Sequence, residues 1–130
     1  MLAIRQASDL SAIADAGIRA FLQQRMADID LAWAPDSWEQ HGQFFVVEAG
    51  DTAEELAREV SPLLCESVFG DARLGDADFV PAWEWAEDHG SFFEILIVTS
   101  DDGDFDSVIV PKDCGQQALL DVCAGYATVP

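Results

Sequence analysis

The chain has 130 residues, of which 25 are Asp or Glu and only 6 are Lys or Arg, so its formal net charge is −19 at pH 7. This excess disfavours direct contact with nucleic acid or an anionic membrane and favours a basic partner. Half of the residues are apolar, including 4 Trp and 8 Phe, which excludes a disordered acidic tail. We therefore expect a single acidic domain over residues 1–130.

The cellular location is predicted from charge and cysteine patterns. Three Cys without a paired spacing are typical of a reducing compartment. Arg5 and Asp9 interrupt any signal-peptide pattern, and no apolar run reaches the roughly 18 residues of a membrane span. We therefore expect a cytoplasmic protein that does not contact a membrane.

The N-terminal part is predicted to contain one long helix and one strand. Residues 2–6 are either an edge strand or a simple lead-in. Apolar residues then recur at helical spacing over 8–29, and Ser8 has the character of an N-cap. The run 43–48 is typical of a buried strand, which Gly50 ends.

Two short helices are predicted next. Thr52 and Glu55 form a capping-box pattern at the start of a helix over 52–60. Pro62 follows a Ser in the way that begins a helix, here over 62–69.

The remainder is predicted to contain three strands and a final helix. The strands cover 79–86, 92–99 and 105–110, and Asp102-Gly103 is a hairpin signal between the last two. A helix follows Asp113, with apolar residues at helical spacing. The element order is α-β-α-α-β-β-β-α. It predicts an α+β fold in which helices pack on one face of a mainly antiparallel sheet of about four strands.

A partner-binding surface is predicted where acids are densest, between residues 71 and 106. Arg73 is the only basic residue in this range. Carboxylates accept hydrogen bonds from Arg and Lys, and Trp rings beside them attract the same cations. The residues predicted to contact the partner are Asp71, Asp76, Asp78, Glu87, Asp88, Asp101, Asp102, Asp104 and Asp106, with Trp33 and Trp38 as aromatic anchors.

The leading functional hypothesis is a small acidic module that inhibits or sequesters a basic protein. It would resemble in charge an immunity or antitoxin protein for a cationic toxin, or a DNA mimic that blocks a DNA-binding enzyme. An alternative is a non-catalytic accessory domain that forms a homodimer through a sheet edge or the Trp33–Trp38 segment. No cofactor-binding motif is present, so we expect no cofactor.

A second alternative is an enzyme with Cys114 as its nucleophile. Cys114 follows a predicted strand at the start of the last helix, where backbone N–H groups favour a thiolate. Asp113 disfavours the thiolate, and the pattern places neither His41 nor His89 beside the thiol as a base. The sequence therefore favours a protein without catalytic activity.

Two groups of carboxylates have the spacing of a functional site, one of a calcium site and one of an acid–base pair. Asp102, Asp104 and Asp106 have the spacing of calcium ligands, but Ser107 stands where the loop needs Gly, so an acidic hairpin turn is favoured over a metal site. Glu94 would form an acid–base pair with Glu84 if the two met on neighbouring strands. A solvated strand face is the simpler interpretation in so acidic a chain.

Overall fold

The computed structural model describes residues 1–32, 34–51, 83–98 and 105–127. The elements in these ranges are strand β1 (Leu2–Ile4), a 3-10 helix (Ala7–Ala12), helices α1 (Ala16–Ala32) and α2 (Ser37–His41), strands β2 (Gly42–Val46), β3 (Trp83–Asp88), β4 (Phe92–Val98) and β5 (Phe105–Pro111), and helix α3 (Gln117–Ala127). The predicted helices over 52–60 and 62–69 and the Asp102-Gly103 turn lie outside the described residues.

The strands form one mixed sheet in the order β1-β2-β5-β4-β3. Strands β2 and β5 are parallel, whereas the other three neighbouring pairs are antiparallel. The α+β class is confirmed, but the sheet has five strands rather than about four and includes a parallel pair. Strands β2 and β5 are far apart in the chain, with β3 and β4 between them, so no local turn signal in the sequence predicts their pairing.

Helices cover both faces of the sheet, which corrects the prediction of one covered face. Phe44 and Val46 of β2 pack in a cluster with residues of α1, whereas Phe45 and Val47 pack with residues of α3. Because successive strand residues point to opposite faces, these clusters lie on the two sides of the sheet. We call them the α1 face and the α3 face.

The predicted helix over 8–29 is divided in two. The Oδ1 atom of Asp15 accepts hydrogen bonds from the backbone N–H groups of Gly17 (2.8 Å) and Ile18 (3.1 Å). This is the bonding of an N-cap, so α1 begins at residue 16 and the residues before it form a separate 3-10 helix. The predicted cap, Ser8, lies inside that 3-10 helix.

Strand positions agree closely with the sequence pattern in the second half of the chain. Strand β4 covers residues 92–98 of the predicted 92–99, and residue 99 lies outside the described residues. Strand β5 extends one residue beyond its predicted range, to Pro111. Strand β3 continues two residues beyond its predicted end, to Asp88. Among the described residues, no helix combines the length and the hydropathy needed to cross a membrane.

Candidate functional site

A buried ionic cluster lies between helix α1 and the sheet. Glu94 of β4 is only 1% exposed, and Arg25 Nη2 of α1 donates to Glu94 Oε1 at 2.7 Å. Ser107 Oγ of β5 donates to Glu94 Oε2 at 3.0 Å. Glu94 lies on the α1 face because its neighbours Phe93 and Ile95 belong to the α3 face. Such partners offset the cost of removing a carboxylate from water.

His89 completes this cluster from the turn between β3 and β4. Its ring stacks on Phe92, with centroids 5.0 Å apart, and lies 4.6 Å from the ring of Phe21. The Nε2 atom is 3.5 Å from Glu94 Oε1 and 3.9 Å from Glu87 Oε2. These separations are too long for firm hydrogen bonds, and Nε2 is buried with no hydrogen-bond partner. A ring nitrogen without a partner therefore faces two carboxylates.

The hairpin register explains why these groups meet. Glu87 of β3 lies directly opposite Glu94 of β4, and the His89 N–H donates to the Phe92 carbonyl at 2.9 Å. Glu84, the residue considered as a possible acid–base partner of Glu94, is not its register partner. The signal that identifies Glu87 is the two-residue turn that begins at Gly90, where φ is +94°.

A second feature is a surface cleft of about 260 Å³. Its apolar lining consists of Leu2, Ala12, Ile13, Ala14, Ile18, Val46, Val47 and Pro111. Asp15, Glu48 and Asp113 complete the lining, and all three are exposed. We call this feature the acidic cleft. It offers carboxylates around an apolar floor.

An ammonium group is already held beside the acidic cleft. The amino group of Met1 contacts the carboxylate of Asp51 and lies 3.4 Å from Glu48 Oε1. Burial acts to lower the pKa of this amino group, but Asp51 and Glu48 outweigh that effect and raise it. The local field therefore favours a cation.

Two of the predicted contact residues are exposed at the end of β3. Glu87 lies at the exposed side of the ionic cluster, next to His89. Asp88 accepts hydrogen bonds from Lys112 Nζ and the Gly90 N–H, both at 2.8 Å. These two hydrogen bonds hold the pKa of Asp88 below its ordinary value, and the one from Lys112 has the larger effect. Asp106 is buried in β5, and desolvation raises its pKa from 3.8 to about 6.

The other predicted residues are placed as follows. Trp38 is 3% exposed and packs near Phe44, with ring centroids 5.8 Å apart, so its ring lies in the core. Cys114 is buried on the α3 face, whereas His89 lies on the α1 face, so His89 is not positioned as its base. Outside the described residues lie Asp71, Asp76, Asp78, Asp101, Asp102, Asp104 and Trp33.

No protein-family model matches the chain, and neither a curated protein nor a solved structure matches it. The class of the protein is therefore defined by its own features. Its described residues form an α+β fold with a five-stranded mixed sheet, an ion pair between Arg25 and the buried Glu94, and an acidic cleft.

Proposed function

We propose that the chain is a small acidic module that binds a basic protein partner and thereby inhibits or sequesters it. The observation that carries this proposal is the formal net charge of −19 on 130 residues. Arg25 and Lys112 are already engaged by Glu94 and Asp88 of the same chain. Because 25 Asp and Glu stand against only 6 Lys and Arg, the chain's own cations are too few to neutralise its acids, and the excess attracts cations from outside.

The acidic cleft supports the proposal with a specific geometry. Lys and Arg side chains have an apolar stem and a charged head, and they bury the stem while the head stays polar. The floor of the cleft, with Ile13 and Val46, suits such a stem. Asp113 at its rim suits the head, because charge-assisted hydrogen bonds to carboxylates are the strong ones. Glu48 lies at the same rim beside the Met1 amino group, and its other carboxylate lone pairs can accept from a second cation.

The density of negative charge is compatible with two versions of the proposal, an immunity-type inhibitor and a DNA mimic. Duplex DNA carries one charge per about 1.7 Å of its axis. A sphere with the radius of gyration of a 130-residue domain spans roughly 36 Å, a length over which DNA carries about 21 charges. A DNA mimic competes with duplex DNA for its partner, whereas an immunity-type inhibitor covers the partner's active site whether or not DNA is its ligand.

The first experiment measures binding of a nona-arginine peptide by isothermal titration calorimetry. The double variant Glu48→Gln/Asp113→Asn is compared with the charge-matched control Asp28→Asn/Asp121→Asn. We expect the cleft variant to weaken binding about tenfold and the control about twofold or less. Wild-type affinity should fall as salt rises, because surface charges are screened.

Two results would contradict the proposal in different ways. Equal loss in the two double variants would reject the acidic cleft as the contact. Binding that is absent at low salt, or that is independent of salt, would reject recognition of a basic partner. Reversing Asp71, Asp76, Asp101 and Asp102 to Lys tests the predicted surface, since retained binding would show that those carboxylates are not part of it.

A further inference from the structure

We propose that Glu87, His89 and Glu94 form a binding site for a divalent first-row transition-metal ion, for which Zn²⁺ is the probe. Each residue offers one ligand atom, and the three atoms all lie within 4.8 Å of one another. The proposal goes beyond partner binding, because it concerns the ionic cluster on the α1 face and uses no residue of the acidic cleft.

The distances between donor atoms are close to those around a bound ion. Ligands at about 2.1 Å from a tetrahedral Zn²⁺ are about 3.4 Å apart. The Nε2 atom of His89 is 3.5 Å from Glu94 Oε1 and 3.9 Å from Glu87 Oε2. The Glu87 side chain is 56% exposed, so a small rotation of this side chain closes the longer distance without disturbing the core.

The state of His89 points to a ligand. Its Nε2 atom is buried without a hydrogen-bond partner, and a buried polar atom left unpaired is costly. The ring is held in place by Phe92 and Phe21. A neutral imidazole nitrogen is a common metal ligand, and an ion placed between Nε2 and the carboxylates gives this atom the partner that it lacks.

Glu94 is oriented in the way that metal-binding carboxylates are. Arg25 Nη2 occupies one lone pair of Oε1, and Ser107 Oγ occupies one of Oε2. Each carboxylate oxygen has two lone pairs, so both oxygens keep one for an ion. Hydrogen bonds from such outer residues fix the direction of the ligand. The charge of Arg25 opposes the ion, while Glu87 and Glu94 together outweigh it.

The ligand set selects among ions. Imidazole suits Zn²⁺, Cu²⁺, Ni²⁺ and Fe²⁺, whereas Mg²⁺ and Ca²⁺ prefer oxygen ligands alone. A site made by His89 therefore binds Zn²⁺ in the presence of Mg²⁺. General attraction to the acidic surface does not make this distinction, because it depends on the charge of the ion.

Calorimetric titration of the full chain with Zn²⁺, at about 150 mM NaCl and with about 5 mM competing Mg²⁺, tests the site. We expect one Zn²⁺ per chain, with affinity reduced about tenfold or more in His89→Ala and in Glu87→Gln. The matched controls are His41→Ala and Glu39→Gln, which remove the other His and an exposed acid of α2. Their affinities should stay within about twofold of wild type.

Binding of Co²⁺ gives an independent readout, because a low-symmetry site with a nitrogen ligand produces visible absorption that His89→Ala should lose. Glu87→Gln changes an exposed side chain, so it remains a valid test if His89→Ala does not fold. The proposal is overturned if the wild type binds Zn²⁺ no more tightly than Mg²⁺. It is equally overturned if Glu87→Gln or folded His89→Ala binds Zn²⁺ as the wild type does.

Discussion

The guanidinium group of Arg25 and the carboxylate of Glu94 are joined by a 2.7 Å contact across 69 positions of the sequence. Glu94 is 1% exposed and Arg25 is 32% exposed, so the pair extends from the core towards the surface. This contact connects α1 to β4 and gives the buried carboxylate a cationic hydrogen-bond donor, in addition to the neutral hydroxyl of Ser107. The docking of α1 on the sheet therefore depends on charge as well as on apolar packing.

Arg25→Met should lower the free energy of unfolding by about 3 kcal/mol, because it leaves a buried carboxylate without its cation. Urea denaturation followed by circular dichroism measures this change. The control is Lys112→Met, which removes the surface pair with Asp88 and should lower the free energy of unfolding much less than Arg25→Met does, because solvent screens an exposed pair. An Arg25 variant as stable as the Lys112 variant would show that Glu94 does not need the guanidinium.

Asp106→Asn should remove a pH-dependent cost from the folded state. Because the pKa of Asp106 is raised from 3.8 to about 6, the native state keeps this proton while the unfolded chain loses it. The contribution of Asp106 to stability therefore falls as the pH rises from about 4 to about 6. Above pH 7 the variant should be more stable than wild type by roughly 1 to 3 kcal/mol.

The pH dependence of stability in Asp106→Asn needs a charge-matched comparison, because every change of pH alters the charge of the whole acidic surface. Asp121→Asn removes one exposed carboxylate and should show the wild-type dependence on pH. Unfolding free energies at about pH 4, 5.5 and 7.5, which lie at the start of, within and above the range where Asp106 titrates, distinguish the two variants. Parallel curves for Asp106→Asn and Asp121→Asn would contradict the raised pKa.

Asp15→Ala should destabilise the chain by about 1 kcal/mol, because it removes the acceptor for the Gly17 and Ile18 N–H groups at the start of α1. Asp15→Asn keeps an acceptor and should recover most of the loss. The control Asp28→Ala alters an exposed position within α1 and should change stability by about 0.5 kcal/mol or less. Thermal and urea unfolding give the comparison, and equal effects at the two positions would argue against capping by Asp15.

The thiols of Cys114 and Cys123 should react slowly with a disulfide reagent in the folded protein. They are 4% and 0% exposed, and burial, with Cys114 as a further cause, raises the pKa of the Cys123 thiol to about 12. In a Cys65→Ser background, both should become reactive only when urea unfolds the chain. Rapid reaction of Cys114 in native buffer would instead favour the hypothesis that it is a nucleophile.

Local pattern was sufficient for several elements. The apolar run that forms β4 and the helical spacing within α3 depend on residues a few positions apart, so both were predicted near their observed places. The division at Asp15 was missed, although the responsible atoms are also local. Helical periodicity continues through the break, and the side-chain hydrogen bonds that begin α1 there do not alter it.

The Glu87–His89–Glu94 grouping illustrates the limit of sequence reasoning at the site. The turn at Gly90 determines which residues of β3 and β4 lie opposite each other, and this information is present in the chain. The approach of Arg25 and Ser107 to Glu94 cannot be inferred from the sequence in this way, because these residues come from elements that meet only in the folded sheet. A carboxylate on a strand was therefore interpreted as solvated when it is buried.

The amino-acid sequence alone determined the acidic charge, the apolar content and, among the described residues, the types of β2, β3, β4, β5 and α3, because each is a sum over residues or a short-range period. The tertiary structure decided the parallel pairing of β2 with β5, the covering of both sheet faces and the burial of Glu94. These features depend on contacts between distant segments, where packing and the cost of burying charge select one arrangement among many with the same local pattern.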